Sequence, residues 1–240
     1  VRLVRDILAA FRALPLAGIE SLLGSCRPLI LAPHPDDESL GCGGLIAAAC
    51  AAGMPPAVAI LTDGSASHPC SRSYPPERLA ALRETEARAA LSILGLPAGK
   101  LFFLREPDTK LAGRGAVIDR LCDIARLADC RMVIGPWAGD PHCDHEAAAA
   151  IGEAVAARGG MGRLSYPVWG WLRDGDTLLA DASTVGWRLD ISRWRNLKAK
   201  AIAAHESQYG ALITDSPDGF ELPKSLLDVF AQPYEVFLAP

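Results

Sequence analysis

Two short stretches concentrate the side chains able to do chemistry. The first, His34-Pro35-Asp36-Asp37-Glu38, puts one imidazole and three carboxylates into five residues, straight after the apolar run Pro28-Leu29-Ile30-Leu31. The second, Asp140-Pro141-His142-Cys143-Asp144-His145-Glu146, follows about a hundred residues later. Like charges this close repel, so a cation is expected among them. Imidazole nitrogen and carboxylate oxygen suit a divalent transition ion such as zinc, and a catalytic zinc site uses three protein ligands with one position left for water. Two histidines and one carboxylate meet that count. Bound zinc brings the pKa of water down to about 7, and a further carboxylate beside the ligands can take the proton as general base.

Plainer readings exist for each stretch alone. His-Pro-Asp suits a turn, and Asp36 or Asp144 suits the cap of a following helix. The placement of both clusters after strands favours the metal. The nearby Gly41-Cys42-Gly43-Gly44 lacks the G-x-G-x-x-G spacing of a dinucleotide site, and its glycines instead allow a helix start to approach the site closely. Cys143 reads as an inert small residue between the histidines.

The elements that must position these residues alternate. Strands are expected at Pro28–Pro33, Ala57–Thr62, Leu101–Leu104 and Met132–Gly135. Helices are expected at Gly41–Gly53, Glu77–Leu94, Ala116–Leu127 and Asp144–Arg158. This β-α-β-α pattern implies a three-layer α/β/α, Rossmann-like fold with a mainly parallel sheet and helices on both faces. Ligands of such sheets bind beyond the carboxyl ends of the strands. Both clusters fall there if their strands run parallel. The rest is less regular, with strands at Leu164–Val168, Gly186–Ile191 and Tyr234–Leu238 and a helix at Arg193–His205. An N-terminal helix is expected over about residues 1–24, with Leu3, Ile7, Leu8, Phe11 and Leu14 on one face. No repeat or linker interrupts the chain, so residues 1–240 read as one domain.

Composition narrows the partners. Half the residues are hydrophobic and the net charge is −4, with Lys and Arg dispersed. That gives no electrostatic reason to expect nucleic acid or an anionic membrane. No stretch approaches the ~20 apolar residues of a membrane span. The arginines of the N-terminal segment make it a poor secretory signal. Seven scattered cysteines without a C-x-x-C pair argue against disulfides and a thiolate zinc knuckle, so the expected compartment is the cytoplasm.

The paired motifs, HPDDE after the first strand and H-x-D-H after a later one, resemble the LmbE/PIG-L family of metal-dependent N-deacetylases. The similarity covers about residues 27–210. It extends more weakly to Thr62-Asp63-Gly64, to Arg83-Glu84 with Leu94-Gly95, and to Lys198–Gln208. It implies a zinc hydrolase that removes acetyl from N-acetylglucosamine units of a small-molecule conjugate. Carried over by motif position, His34, Asp37 and His145 hold the metal and Asp36 is the general base. His142 stabilises the oxyanion or acts as acid, Asp144 orients an imidazole, and Glu38 has a structural role. Zinc is the expected ion, and ferrous iron fits the same ligands. Arg83 and Asp108 match places where relatives touch the sugar, although a helix face and a loop turn explain them as well. The middle residue of H-x-D-H is often Pro in relatives and is Cys143 here, a position without side-chain chemistry. Trp169, Trp171, Trp187 and Trp194, in a divergent segment over about 164–240, suit core packing or stacking on substrate. His205 reads as a structural hydrogen-bonder, and His68 has no assigned role.

Rival readings keep the same residues. An amidase would cleave a larger acyl group from a similar amine. A non-haem iron oxygenase also uses two histidines and a carboxylate, but that chemistry usually sits on a β-barrel. A metal-dependent sugar-binding protein without turnover would have no use for Asp36 beside the ligands.

Overall fold

The structure, a computed structural model, describes residues 1–111, 115–180, 183–210 and 212–240. The chain opens with β1 (Arg2–Leu3), α1 (Val4–Ala13), β2 (Leu16–Ala17) and α2 (Ile19–Leu23). The alternating part follows as β3 (Arg27–Ala32), α3 (Asp37–Ala51), β4 (Ala57–Thr62), α4 (Pro76–Ile93), β5 (Leu101–Glu106), α5 (Gly115–Leu127), β6 (Cys130–Pro136), α6 (Cys143–Gly159) and β7 (Gly162–Tyr166). It closes with β8 (Leu178–Leu179), β9 (Gly186–Asp190), α7 (Arg195–Ala203), α8 (Glu206–Tyr209), α9 (Lys224–Phe230) and β10 (Tyr234–Leu238).

Among the described residues the main sheet has eight strands in the order β2-β9-β10-β7-β6-β3-β4-β5. The run β7-β6-β3-β4-β5 is parallel. β3 and β4 are buried on both faces, so they read as unbroken apolar runs. Ile30 and Val58 turn to one face, where they meet Leu45 and Ile46 of α3, Leu91 of α4 and Ile202 of α7. Leu29, Leu31 and Ala59 turn to the other, against Leu121 of α5 and Ile151 of α6. The three layers match the sequence expectation.

Three differences stand out. The N-terminal segment is not one helix over 1–24. α1 stops at Ala13, and Leu14 after it is extended, with φ of −55° and ψ of 150°, because the ring of Pro15 disfavours the helical region for the residue before it. Secondly, α3 begins at Asp37, so Asp37 and Glu38 belong to its first turn. Thirdly, β10 enters antiparallel between β9 and β7. It carries Glu235, which is buried and accepts from Gly44 N and Leu45 N of α3 and from Lys198 Nζ of α7, at 2.6, 2.9 and 2.8 Å. The glycines of α3 serve close packing: a Cβ on Gly41 would lie 2.1 Å from Tyr166 Cδ2. All seven cysteines are free. Among the described residues no helix is long and apolar enough to cross a membrane.

Candidate active site

β3 and β6 are neighbours, while β4 and β7 lie on opposite sides of them. The crevice between their carboxyl ends is therefore the switch point of the sheet. The segment from Pro33 to Asp36 joins β3 to α3, and the segment from Trp137 to His142 joins β6 to α6. Both histidine-carboxylate clusters meet there.

His145 is fully buried, and its Nδ1 lies 2.9 Å from Asp140 Oδ2. That carboxylate also accepts from Val168 N and Gly170 N at 2.9 and 2.7 Å. A carboxylate can only accept, so a neutral His145 that ligates a cation beside Asp37 keeps its proton on Nδ1, toward Asp140, and its lone pair on Nε2. Nε2 is buried, has no hydrogen-bond partner, and lies 3.2 Å from Asp37 Oδ2. His34 repeats the arrangement. Its Nε2 is 3.1 Å from Asp144 Oδ2 and 3.3 Å from Asp108 Oδ1, while its Nδ1 is 3.2 Å from the same Asp37 Oδ2. In the neutral form that ligates a metal, both imidazoles would turn a lone pair to one carboxylate oxygen. Such an arrangement repels itself unless a cation lies among the three atoms. His34, Asp37 and His145 therefore fit a divalent ion, and His142 lies close enough to His34 and His145 to share a metal-sized space.

The charges tell the same story in the metal-free protein. Burial pulls His145 down, but Asp37 and Asp140 outweigh it and bring the imidazole up to about 9. His34 likewise rises well above its usual range, as Asp108, Asp144 and Asp37 overcome burial. Burial would raise Asp37, yet His145 and His34 hold it far below the usual carboxylate range. Protons stand in this cluster for the positive charge that a metal would bring.

Asp36 is built differently. Its φ of 142° lies in a region that side chains rarely adopt, and such strain persists only where neighbours over-determine it. Glu38 Oε2 accepts from Asp36 N at 3.0 Å. Arg83, itself buried, donates from Nη2 to Pro35 O at 2.7 Å and to Asp36 Oδ2 at 3.1 Å, and from Nη1 to Gly64 O at 2.9 Å. Gly64 has a φ of +65°, and a Cβ there would lie 2.6 Å from Arg83 Nη1, which explains the glycine in Thr62-Asp63-Gly64. Burial pushes the Asp36 carboxyl up to about 6 against the pull of Arg83, with Asp37 adding to the rise.

His142 caps α6, its Nδ1 accepting from Asp144 N at 3.2 Å. Its proton is therefore on Nε2. Burial and the neighbouring His34 and His145 lower its pKa and keep it neutral. His142, His34, Asp36, Asp37, Arg83 and Asp108 all border one cavity of about 450 Å³, within the ~300–1,000 Å³ usual for small-molecule sites. All eight residues singled out from the sequence thus come together.

Asp140 was given no role from sequence, although it stands at the head of the second cluster. It orients His145, whereas Asp144 orients His34 and ties Thr109 N and Leu111 N to the site at 2.7 and 3.0 Å. A carboxylate five residues before a histidine has no helical register with it, so only the turn brings them together. Glu38 is structural, holding Asp36 N, Ser39 Oγ and His205 Nε2 at 3.0, 2.7 and 3.2 Å. His205 is thereby a hydrogen-bonder. His68 packs on Gly219, with Nδ1 3.1 Å from Ser67 Oγ. Cys143 is exposed. Of the four tryptophans, Trp169 borders the cavity, Trp171 packs on Phe11, and Trp187 and Trp194 lie against the core.

The fold and the site together bring a histidine-carboxylate cluster fit for a cation beside a separately anchored carboxylate. Residues 29–156 match the family model described as PIG-L, GlcNAc-PI de-N-acetylase, and the chain belongs to the PIG-L family. It is 27% identical over 199 residues to a Bacillus anthracis protein named probable N-acetyl-alpha-D-glucosaminyl L-malate deacetylase 2, a match covering 80% of this chain and 86% of the relative. In fold it is similar to N,N'-diacetylchitobiose deacetylase from Pyrococcus horikoshii, with a TM-score of 0.63, 22% identity and coverage of 88% of this chain and 82% of the other. A conserved protein from Thermus thermophilus, TT1542, aligns with a TM-score of 0.63 at 25% identity, over 90% of this chain and 94% of its own.

Proposed function

We propose that this chain is a zinc-dependent N-deacetylase that removes acetyl from the amine of an N-acetylglucosamine-type conjugate. The carrying observation is the orphaned Nε2 of His145 facing Asp37 beside an independently anchored Asp36. Family membership supports the reaction, and the malate and chitobiose deacetylases support the amino-sugar class. Sheet continuity from β2 to β10 supports reading residues 1–240 as one domain, and the free thiols suit a reducing compartment such as the cytoplasm.

His34, Asp37 and His145 would hold the ion. A divalent ion held there lowers the pKa of water to about 7 and polarises a carbonyl oxygen. Asp36 takes the proton of the attacking water, with Arg83 keeping its carboxylate aimed into the cavity. Its raised pKa keeps that proton available for the departing amine. His142 presents Nε2–H to the oxygen that becomes negative when the carbonyl carbon is attacked. Asp140 and Asp144 keep both ligand imidazoles in the tautomer that offers a lone pair.

The test is acetate release from a panel of N-acetylglucosamine conjugates by zinc-reloaded protein. Asp36→Ala should lose roughly 10²–10⁴-fold in rate with metal stoichiometry unchanged. Near-normal turnover in the variant would remove Asp36 from the role of base.

A further inference from the structure

We propose that Trp169 and Phe220 form the subsite for the group attached to the amino sugar, and that it takes an uncharged aryl or alkyl group in preference to an anionic one. This rests on the deacetylase reading of the same cavity. Away from the reacting groups, the cavity is bordered by Leu40, Pro69, Trp169 and Phe220. The rings of Trp169 and Phe220 meet edge to face, with centroids 5.4 Å apart and planes at 72°. Aromatic surfaces of this kind receive apolar groups and sugar faces.

The wall is held in place by main-chain and side-chain bonds between two loops distant in sequence. Phe220 N donates to Ser67 O at 2.8 Å and Ser216 Oγ to Pro69 O at 2.6 Å. Asp215 accepts from Ser71 Oγ, Arg72 N and Ser73 N at 2.7, 2.9 and 2.9 Å. Gln208 borders the same space, and its Oε1 is buried without a hydrogen-bond partner.

Charge decides what lies beyond the sugar. Among the described residues bordering the cavity, the sole cation is Arg83, and its two terminal nitrogens are taken by Gly64 O, Pro35 O and Asp36. The carboxylates outside the metal trio and base are Asp108 and the exposed Asp218. A carboxylate-bearing group such as malate would be desolvated there without a guanidinium to receive it, and would face like charge.

The test measures acetate release and equilibrium affinity by calorimetry on zinc-loaded protein, for phenyl, octyl and malate conjugates of N-acetylglucosamine. The phenyl and octyl conjugates should bind at least ten times more tightly than the malate conjugate. Phe220→Ala should remove most of that ratio. Asp218→Arg, a change at an exposed position that leaves folding unchallenged, should improve malate binding several-fold at low salt and less at high salt. Equal or tighter malate binding by the unaltered protein, or a Phe220→Ala loss shared equally by all three conjugates, would overturn the subsite. Acetate scores the reaction and the affinity ratio scores the subsite. A protein with the expected affinity order and no acetate would uphold the subsite and sink the deacetylase reading.

Discussion

Replacing Asp140 by Asn keeps the shape of the side chain and changes one oxygen to NH₂. The oxygen that bonds Gly170 N at 2.7 Å cannot become a donor without opposing that N–H, so the amide nitrogen takes the place of Oδ2, 2.9 Å from His145 Nδ1. Val168 N, which donates to Oδ2 at 2.9 Å, must then turn to the surviving oxygen, 3.2 Å away. His145 must then accept at Nδ1 and carry its proton on Nε2, the atom aimed at Asp37. The metal-facing lone pair is lost unless the tautomer is forced back. Groups that orient a ligand imidazole typically contribute ~10–100-fold to metal affinity, on the order of 1.4–2.7 kcal/mol. We expect Asp140→Asn to weaken zinc binding by that factor in competition with a chromophoric chelator. Thermal unfolding of the metal-free protein checks the fold. Nitrogen chemical shifts of His145 should report the proton on Nε2 in the variant and on both nitrogens in the metal-free parent at neutral pH. Zinc affinity within twofold of the parent would refute the claim that Asp140 sets the tautomer.

Zinc should displace at least one proton at pH 7, because His145 sits at about 9 in the metal-free protein. Affinity should rise about tenfold per pH unit for each proton displaced, and calorimetry in buffers of different ionisation enthalpy that finds no proton release would contradict this. That same raised pKa stabilises the metal-free fold fully below the ordinary imidazole range, and its contribution fades as pH rises through about 9. Gly64→Ala should lower stability by ~1–2 kcal/mol from its positive φ alone. By moving Arg83 it should also slow turnover at least tenfold with zinc still bound, and a variant with unchanged melting temperature and rate would disprove the contact. Glu235→Gln should cost about 3–5 kcal/mol in urea unfolding, since it leaves Lys198 buried beside a neutral partner. Adding Lys198→Met should recover much of that loss, and a single-variant effect below ~1 kcal/mol would show the pair to be unimportant.

The parallel half of the sheet was legible because burial on both faces leaves a local record. β3 and β4 are apolar without interruption, and each is followed by turn residues and a helix pattern. The meeting of the two clusters was legible because like charges crowd in two short stretches whose strands end side by side. What escaped has no local record. Asp140 lies in the quoted cluster, but its partners Val168, Gly170 and His145 are gathered by a turn and by the strand after α6. Asp215 caps a loop more than 140 positions away from it. β10 has the composition of any edge strand, and nothing in Tyr234–Leu238 says that it will sit antiparallel inside the sheet. The break after α1 was available in Pro15, whose effect on Leu14 outweighed the apolar face that continues through it.

The strand order also sets a sequence of events during synthesis. His34, Asp37 and His145, with the orienting Asp140 and its backbone partners, are all made by Gly170. The aromatic wall at Phe220 comes later, and β10 comes later still. Until Tyr234–Leu238 is made, β7 and β9 lack the strand that joins them, and the crevice between β3 and β6 has ligands but no finished substrate wall. The candidate ligands are therefore all synthesised before the aromatic wall, whereas α3, which carries Asp37, receives its buried partner Glu235 only with the last strand.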